Sequence, residues 1–231
     1  DGLTDDFING VDISTLLAEE ASGVVYYNDQ GEATDLLKIL ADKGVNYVRV
    51  RVWNDPYADE AKTQGYGAGN CTIETAKEIG LRAQNYGIKL MVDFHYSDFW
   101  ADPAHQDIPE AWKSYDLAAM AKAVADHTSE VLNVLKDNGV DVTWVQVGNE
   151  VTGGMLWEKG RVKDQSASGF AKLFKAGADQ VKTVYPNASV ILHIDNAWKM
   201  DTLQWFYSLM ANTGVKYDMI GLSLYPSDWN K

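Results

Sequence analysis

The feature that most limits how this chain can fold is a repeated alternation. Six short runs rich in β-branched residues, at 8–13, 45–53, 88–95, 142–150, 189–195 and 217–225, are separated by stretches with helical periodicity. Those stretches run roughly over 34–43, 72–86, 116–138, 166–185 and 201–212. Over 116–138, Leu117, Met120, Ala121, Val124, Val131, Leu132 and Leu135 share one apolar helical face. Asp116 suits its N-cap, and Gly139 suits a left-handed exit. Strands alternating with helices at ~30–50 residue spacing predict right-handed βαβ units and a parallel sheet.

The strands separate a barrel from a doubly wound sheet. Strands buried on both faces of an open α/β sheet read as continuously apolar. Here one phase of each strand is apolar and the other polar or aromatic. Val48, Val50 and Val52 alternate with Tyr47, Arg49, Arg51 and Trp53, and Leu90, Val92 and Phe94 with Met91, Asp93 and His95. Val145 and Val147 alternate with Trp144, Gln146 and Gly148, and Val190, Leu192 and Ile194 with Ile191, His193 and Asp195. In the last run Ile220, Leu222 and Leu224 alternate with Gly221, Ser223 and Tyr225. An apolar phase meeting outer helices and a second phase growing polar toward the carboxyl ends describe a (β/α) barrel, whose chemistry sits at that end. No Gly-x-Gly-x-x-Gly follows the first strand, so a dinucleotide fold lacks its main support.

Composition narrows the ligand. The chain has 231 residues, 46% of them hydrophobic, and its 20 basic and 33 acidic residues leave a net charge of −13. That balance disfavours nucleic acid and anionic membranes, which need clustered Lys and Arg. No apolar run reaches the ~18 residues of a membrane span. The single cysteine, Cys71, forms no internal disulfide and fits no metal spacing.

Glu150 follows Asn149 at the end of the fourth strand, at the expected mouth of the barrel, where Glu can transfer a proton and Asn can bind a ligand hydroxyl. A solvent-facing loop Glu is the bland alternative. Inward arginines need carboxylate partners, with Asp93 and Glu150 as candidates. Arg49 reads as a core ion pair and Arg51, nearer the mouth, as a site residue. His95 and His193 each end a strand two residues from an Asp. They read as hydrogen-bonding a substrate, orienting Glu150, or sitting satisfied in the interior. No His-x-His or His-Glu-x-x-His pattern argues for metal, and no cofactor is expected. Trp53, Trp100, Trp157, Trp198 and Trp229 lie at or after strand ends, where exposed rings suit the apolar faces of sugars. Trp112, Trp144 and Trp205 read as packing residues.

Three stretches resemble the endo-β-1,4-galactanases of glycoside hydrolase family 53: Asn46–Pro56 (NYVRVRVWNDP), Val92–Pro103 (VDFHYSDFWADP) and Val147–Glu150 (VGNE). Glu20–Tyr27 and Ile220–Pro226 add to the resemblance, which covers the whole chain in order. It implies a (β/α)8 TIM barrel, secretion, and retaining endo-hydrolysis of the galactan side chains of pectin. It also implies Glu150 as general acid/base and Asn149 as a sugar-hydroxyl ligand. Arg51, Trp53, Asp93, His95, His193 and Tyr225 complete the expected substrate-binding shell.

On this reading residues 1–231 are a single, C-terminally incomplete catalytic barrel of about six βα units, with strands seven and eight missing. The resemblance places the nucleophilic Glu at the end of the seventh strand, downstream of residue 231, and any calcium region there too; Asp228 is a poor substitute. A second fragment completing the barrel is one expectation. A non-catalytic galactan-binding remnant and a related endo-glycosidase acting on another β-1,4-glycan are the alternatives.

Overall fold

A computed structural model describes residue 4 and residues 7–225. Pro226, Asp228 and Trp229 lie outside the described residues. Six strands, β1 (Gly10–Asp12), β2 (Tyr47–Val52), β3 (Lys89–Phe94), β4 (Val142–Val147), β5 (Ser189–Ile194) and β6 (Met219–Leu222), form one sheet. Every neighbouring pair is parallel, and the spatial order is the sequence order, β1 to β6. A doubly wound sheet reverses its strand order at a switch point. A sheet that never reverses keeps all its right-handed crossovers on one face, which is the barrel arrangement. The described strands make an open portion of a (β/α)8 barrel, with β1 and β6 at its edges.

Helices α1 (Leu16–Ala21), α2 (Leu36–Asp42), α3 (Ile73–Gln84), α4 (Leu117–Asp137), α5 (Ser168–Val184) and α6 (Met200–Thr213) connect the strands. Side chains start three of them: Asp35 accepts from Leu37 N, Thr72 from Thr75 N and Asp116 from Ala119 N. Gly139 leaves α4 at φ +79°, the left-handed exit expected of it. Helix α1 is absent from the sequence reading because six residues are too few to show a period.

Val48, Val50, Val52, Val92, Phe94, Val145, Val147, Leu192 and Ile194 are fully buried in the layer between sheet and helices. The opposite phase of the same strands turns inward, as the alternation requires. On β6 the outward phase is uncovered, with Ile220 51% and Leu222 44% exposed.

Candidate active site

Inside the curve of the sheet the inward side chains stack in layers. At the amino ends the Tyr47 and Trp144 rings stack with centroids 4.1 Å apart, beside Met91. One layer up, Asp93 is fully buried. It accepts hydrogen bonds from Arg49 Nη2, from Gln146 Nε2 at 2.6 Å and from His95 Nε2 at 3.1 Å. Burial pushes the Asp93 carboxyl pKa up, but Arg49 and then His95 outweigh it and hold the group below the ordinary carboxylate value. Arg49 also donates to Asn149 Oδ1 at 2.9 Å, an oxygen that Gln146 Nε2 shares at 2.9 Å. Asn149 Nδ2 donates to Ala101 O at 2.7 Å. The asparagine is thus fixed from three sides.

Above this network Glu150 lines a cavity of about 520 Å³ together with Arg49, Trp100, Asn149, His193, Ser223 and Tyr225. Strand β4 ends at Val147, and at Gly148, which follows, φ is +86° and an added Cβ would lie 2.6 Å from Val151 Cγ1, so the position suits glycine. Glu150 itself is left-handed, with φ and ψ both at 51°. For a residue with a Cβ this costs about 1–2 kcal/mol and persists only where the surroundings impose it. They do so through one peptide unit: Gln106 Nε2 donates to Asn149 O at 2.8 Å, and Glu150 N donates to His193 Nδ1 at 3.1 Å.

Glu150 is 9% exposed. Burial raises its pKa above the ordinary value of 4.5; Ser223 pulls it down, Asp195 and Asp102 push it up, and Arg49 pulls it down with a smaller effect. The lowering by Arg49 is the last of these effects, and that guanidinium faces Asp93 and, at 3.5 Å, Asp12. A carboxyl protonated above its usual range is what a general acid needs. His193 is held neutral: burial drives its pKa down to about 4, its Nδ1 accepts from Glu150, and its Nε2 donates to Ser223 Oγ at 2.9 Å. Gly221, opposite His193 in the register, makes room for that ring, since a Cβ there would lie 3.2 Å from His193 Cδ2.

The structure brings Glu150, Asn149, His193 and Tyr225 to one cavity, with Asp93 beneath it. Three expectations need correction. His95 is 1% exposed and both ring nitrogens are used internally: Nδ1 accepts from Trp53 Nε1 at 3.2 Å and Ala101 N at 2.9 Å, and Nε2 faces Asp93. Trp53 is 1% exposed and packs against Phe99 and Trp100, so its ring is not a sugar platform. Arg49 makes the expected ion pair with buried Asp93 and lines the cavity as well, and it is Arg51 that departs from its expected place. Arg51 is tied to Asp12 at 3.1 Å and Ala68 O at 3.2 Å, with its guanidinium 4.4 Å from the Trp100 ring centroid. Height along the strand misled here, because the loop after β3 folds Trp100 across the mouth above Arg51. Trp100, 38% exposed, is the tryptophan that lines the cavity. Trp157 has one face against Arg161 and Trp198 is partly exposed, neither lining that cavity. Trp112 is buried and Trp205 packs on Phe206, as expected of packing residues. Gln106 escaped notice, lying in a long loop with no periodicity to mark it.

The model of Glycosyl hydrolase family 53 matches residues 8–231. The endo-beta-1,4-galactanase of Bacillus subtilis (strain 168) is 40% identical over 98% of this chain and 51% of its own length. The arabinogalactan endo-beta-1,4-galactanase of Humicola insolens is 37% identical over 94% of this chain and 63% of its own. Among solved structures, the Ignisphaera aggregans GH53 catalytic domain superposes with a TM-score of 0.92 at 38% identity, covering 97% of this chain and 61% of that one. A fungal beta-1,4-galactanase structure gives 0.84 at 36% identity, covering 95% and 64%. A GH10 endoxylanase at 16% identity and a TM-score of 0.58 shares the fold alone. The chain spans about half to two-thirds the length of these relatives, each of which carries its remaining length in the same polypeptide, so a completing second fragment finds no support in them. The motif runs, the sequential parallel sheet and the Asn149–Glu150 corner at its carboxyl mouth all agree with the family match, and the chain belongs to glycosyl hydrolase family 53.

Proposed function

We propose that residues 1–231 belong to a single catalytic barrel that cuts β-1,4-galactosidic bonds inside pectic galactan with retention of configuration, Glu150 serving as its general acid/base. The observation that carries the reading is Glu150: a buried carboxyl with a raised pKa, fixed at the carboxyl mouth beside Asn149 and Arg49. In the first step its carboxylic acid gives a proton to the glycosidic oxygen while a second carboxylate attacks the anomeric carbon from the opposite face. The leaving chain departs as an alcohol and a glycosyl ester remains. In the second step the Glu150 carboxylate takes a proton from the water that attacks that ester, which restores both groups.

The second carboxylate must stand ~5–5.5 Å from Glu150. Asp102 also lines the cavity, but its oxygens accept from Ala104 N at 2.7 Å, His105 N at 2.9 Å and the His105 ring, which ties it to its own loop. We place the nucleophile downstream of residue 231. Asn149, Arg49, Trp100 and Tyr225 would bind the sugar next to the cleaved bond, Trp100 by its ring. A neutral glycan suits a chain of net charge −13, which needs no electrostatic steering to hold it. A polysaccharide substrate would be met outside the cell, and we read the protein as secreted.

The test is Glu150→Gln in the full-length protein. The rate on β-1,4-galactan should fall by about 10²–10⁴-fold with the circular dichroism spectrum unchanged. An unaltered rate would sink the assignment, and preference for β-1,4-mannan or cellulose oligomers over galactan would sink the substrate.

A further inference from the structure

We infer that Gln106 is a positioning residue for the acid/base: by clamping the carbonyl of the Asn149–Glu150 peptide it sets the direction in which the Glu150 carboxyl points. The inference rests on the acid/base reading of Glu150. Gln106 is 2% exposed and lies in the loop between β3 and α4. Its Nε2 donates twice, to Asn149 O at 2.8 Å and to Asp102 O at 3.0 Å, and its own backbone carbonyl accepts from Trp157 N at 2.8 Å. The side chain therefore joins the β3 loop to the corner that ends β4, and the backbone of the same residue joins them to the stretch that follows.

The bond to Asn149 O has a particular consequence. The same peptide plane presents the Glu150 N–H, which donates to His193 Nδ1 at 3.1 Å. A peptide plane held at both its oxygen and its hydrogen cannot rotate about its flanking bonds. Rotation of that plane is the motion that would release Glu150 from φ +51° toward the right-handed region ordinary for a glutamate. With Glu150 free to take other φ,ψ values, its carboxyl would no longer be held in a single direction. His193 alone fixes one edge of the plane, and Gln106 fixes the other. The Gln106 Oε1 is buried and without a hydrogen-bond partner, so the amide is seated for its donor group at the expense of its acceptor. Gln106 does not line the cavity and so acts through Glu150 rather than on the substrate.

The test compares two leaving groups in the full-length protein. Cleavage of galactan expels an alkoxide that needs the proton of Glu150, whereas cleavage of a 2,4-dinitrophenyl β-galactobioside expels a phenolate that does not. Gln106→Met, which keeps the length and removes both donors, should lower kcat on galactan by about 10–100-fold with KM within about threefold, and lower the first-step rate on the dinitrophenyl substrate by less than about threefold. Glu150→Gln is run beside it and should show the same asymmetry, more strongly. Equal losses on both substrates in Gln106→Met would overturn the inference, since a merely structural role disturbs both, and so would an unchanged rate on galactan. If Glu150→Gln itself shows no asymmetry, it is the acid/base reading that fails. Gln106→Glu covers the case in which the methionine variant does not fold. Its carboxylate faces two carbonyl oxygens and should be poorly active at pH 8 on galactan, recovering as acid pH protonates it and restores one donor. A pH profile parallel to that of the parent protein would count against the clamp.

Discussion

At the amino ends of β2 and β4 the inward side chains are Tyr47 and Trp144, whose rings stack at 4.1 Å; two residues further along the same strands the inward pair is Arg49 and Gln146, both joined to Asp93. One phase of one sheet thus does two kinds of work within a rise of about 6–7 Å. At the lower end aromatic area closes the interior against itself. At the upper end the strands hand over to long loops, and each polar group there is held by more than one segment: Asp93 from three residues, Asn149 from β2, β4 and the β3 loop, and the Glu150 peptide from two sides. The burial of aromatic area tolerates small shifts, since the hydrophobic effect follows area rather than bond direction. A hydrogen-bonded network in a dry interior does not, because each lost partner leaves a buried group unpaired.

Substitutions at the two ends should therefore fail in different ways. The largest effect belongs to Asp93→Ala, which strips Arg49 of its buried partner. Loss of one half of a buried pair costs about 3–5 kcal/mol, and the protein that still folds should lose about 10²-fold in kcat because Arg49 and Asn149 are no longer held. Chemical denaturation with single-turnover kinetics separates the two losses; near-normal values of both would erase the distinction between the ends. Trp144→Ala should cost about 2–3 kcal/mol, less than a fully buried tryptophan because the ring is partly exposed, with kcat changed by less than about threefold. A kcat loss as large as its stability loss implies would show that the lower layer is part of the catalytic machinery.

A further effect is one of pH. His127 on α4 is buried beside Phe94, Tyr96 and Trp112, its Nε2 has no partner, and burial pushes its pKa down to about 4. His193 is likewise at about 4. Both are neutral in the folded chain, while unfolded chains take up protons below pH 6.5. Stability should accordingly hold above about pH 6.5 and fall between about 6.5 and 4, by about 3 kcal/mol for each histidine. Asp93, whose pKa is lowered, extends the loss below pH 4. His127→Phe should flatten the profile over the upper window by about half without altering the rate at pH 7. A profile as steep as that of the parent would put the burden on other groups.

The fold was legible because parallel barrel strands carry a two-residue alternation that survives in sequence, and because Asp116 marks a helix start by short-range chemistry. The Asn149–Glu150 corner was legible for the same reason, as a polar pair where a strand must end. What sequence position did not disclose was set by the loop after β3. That loop brings Trp100 over Arg51, Ala101 to Asn149 and His95, and Gln106 to the Glu150 peptide. Apart from that of Ala101 with His95, its contacts join residues some 40–50 positions apart with no period, so His95 and Trp53 read as ligand-facing although they are buried, and the cavity-facing side of Arg49 was hidden behind its ion pair with Asp93.

The central claim is that Glu150 is the proton donor and acceptor rather than the nucleophile, and one product decides it. Glu150→Ala in the full-length protein, given a 2,4-dinitrophenyl β-galactobioside and sodium azide, should turn over faster as azide rises, because azide needs no base to attack the glycosyl ester. The product, read by proton NMR, should be the β-galactosyl azide, which keeps the configuration of the substrate. An α-galactosyl azide would mean that azide had replaced the nucleophile itself, and would contradict the account.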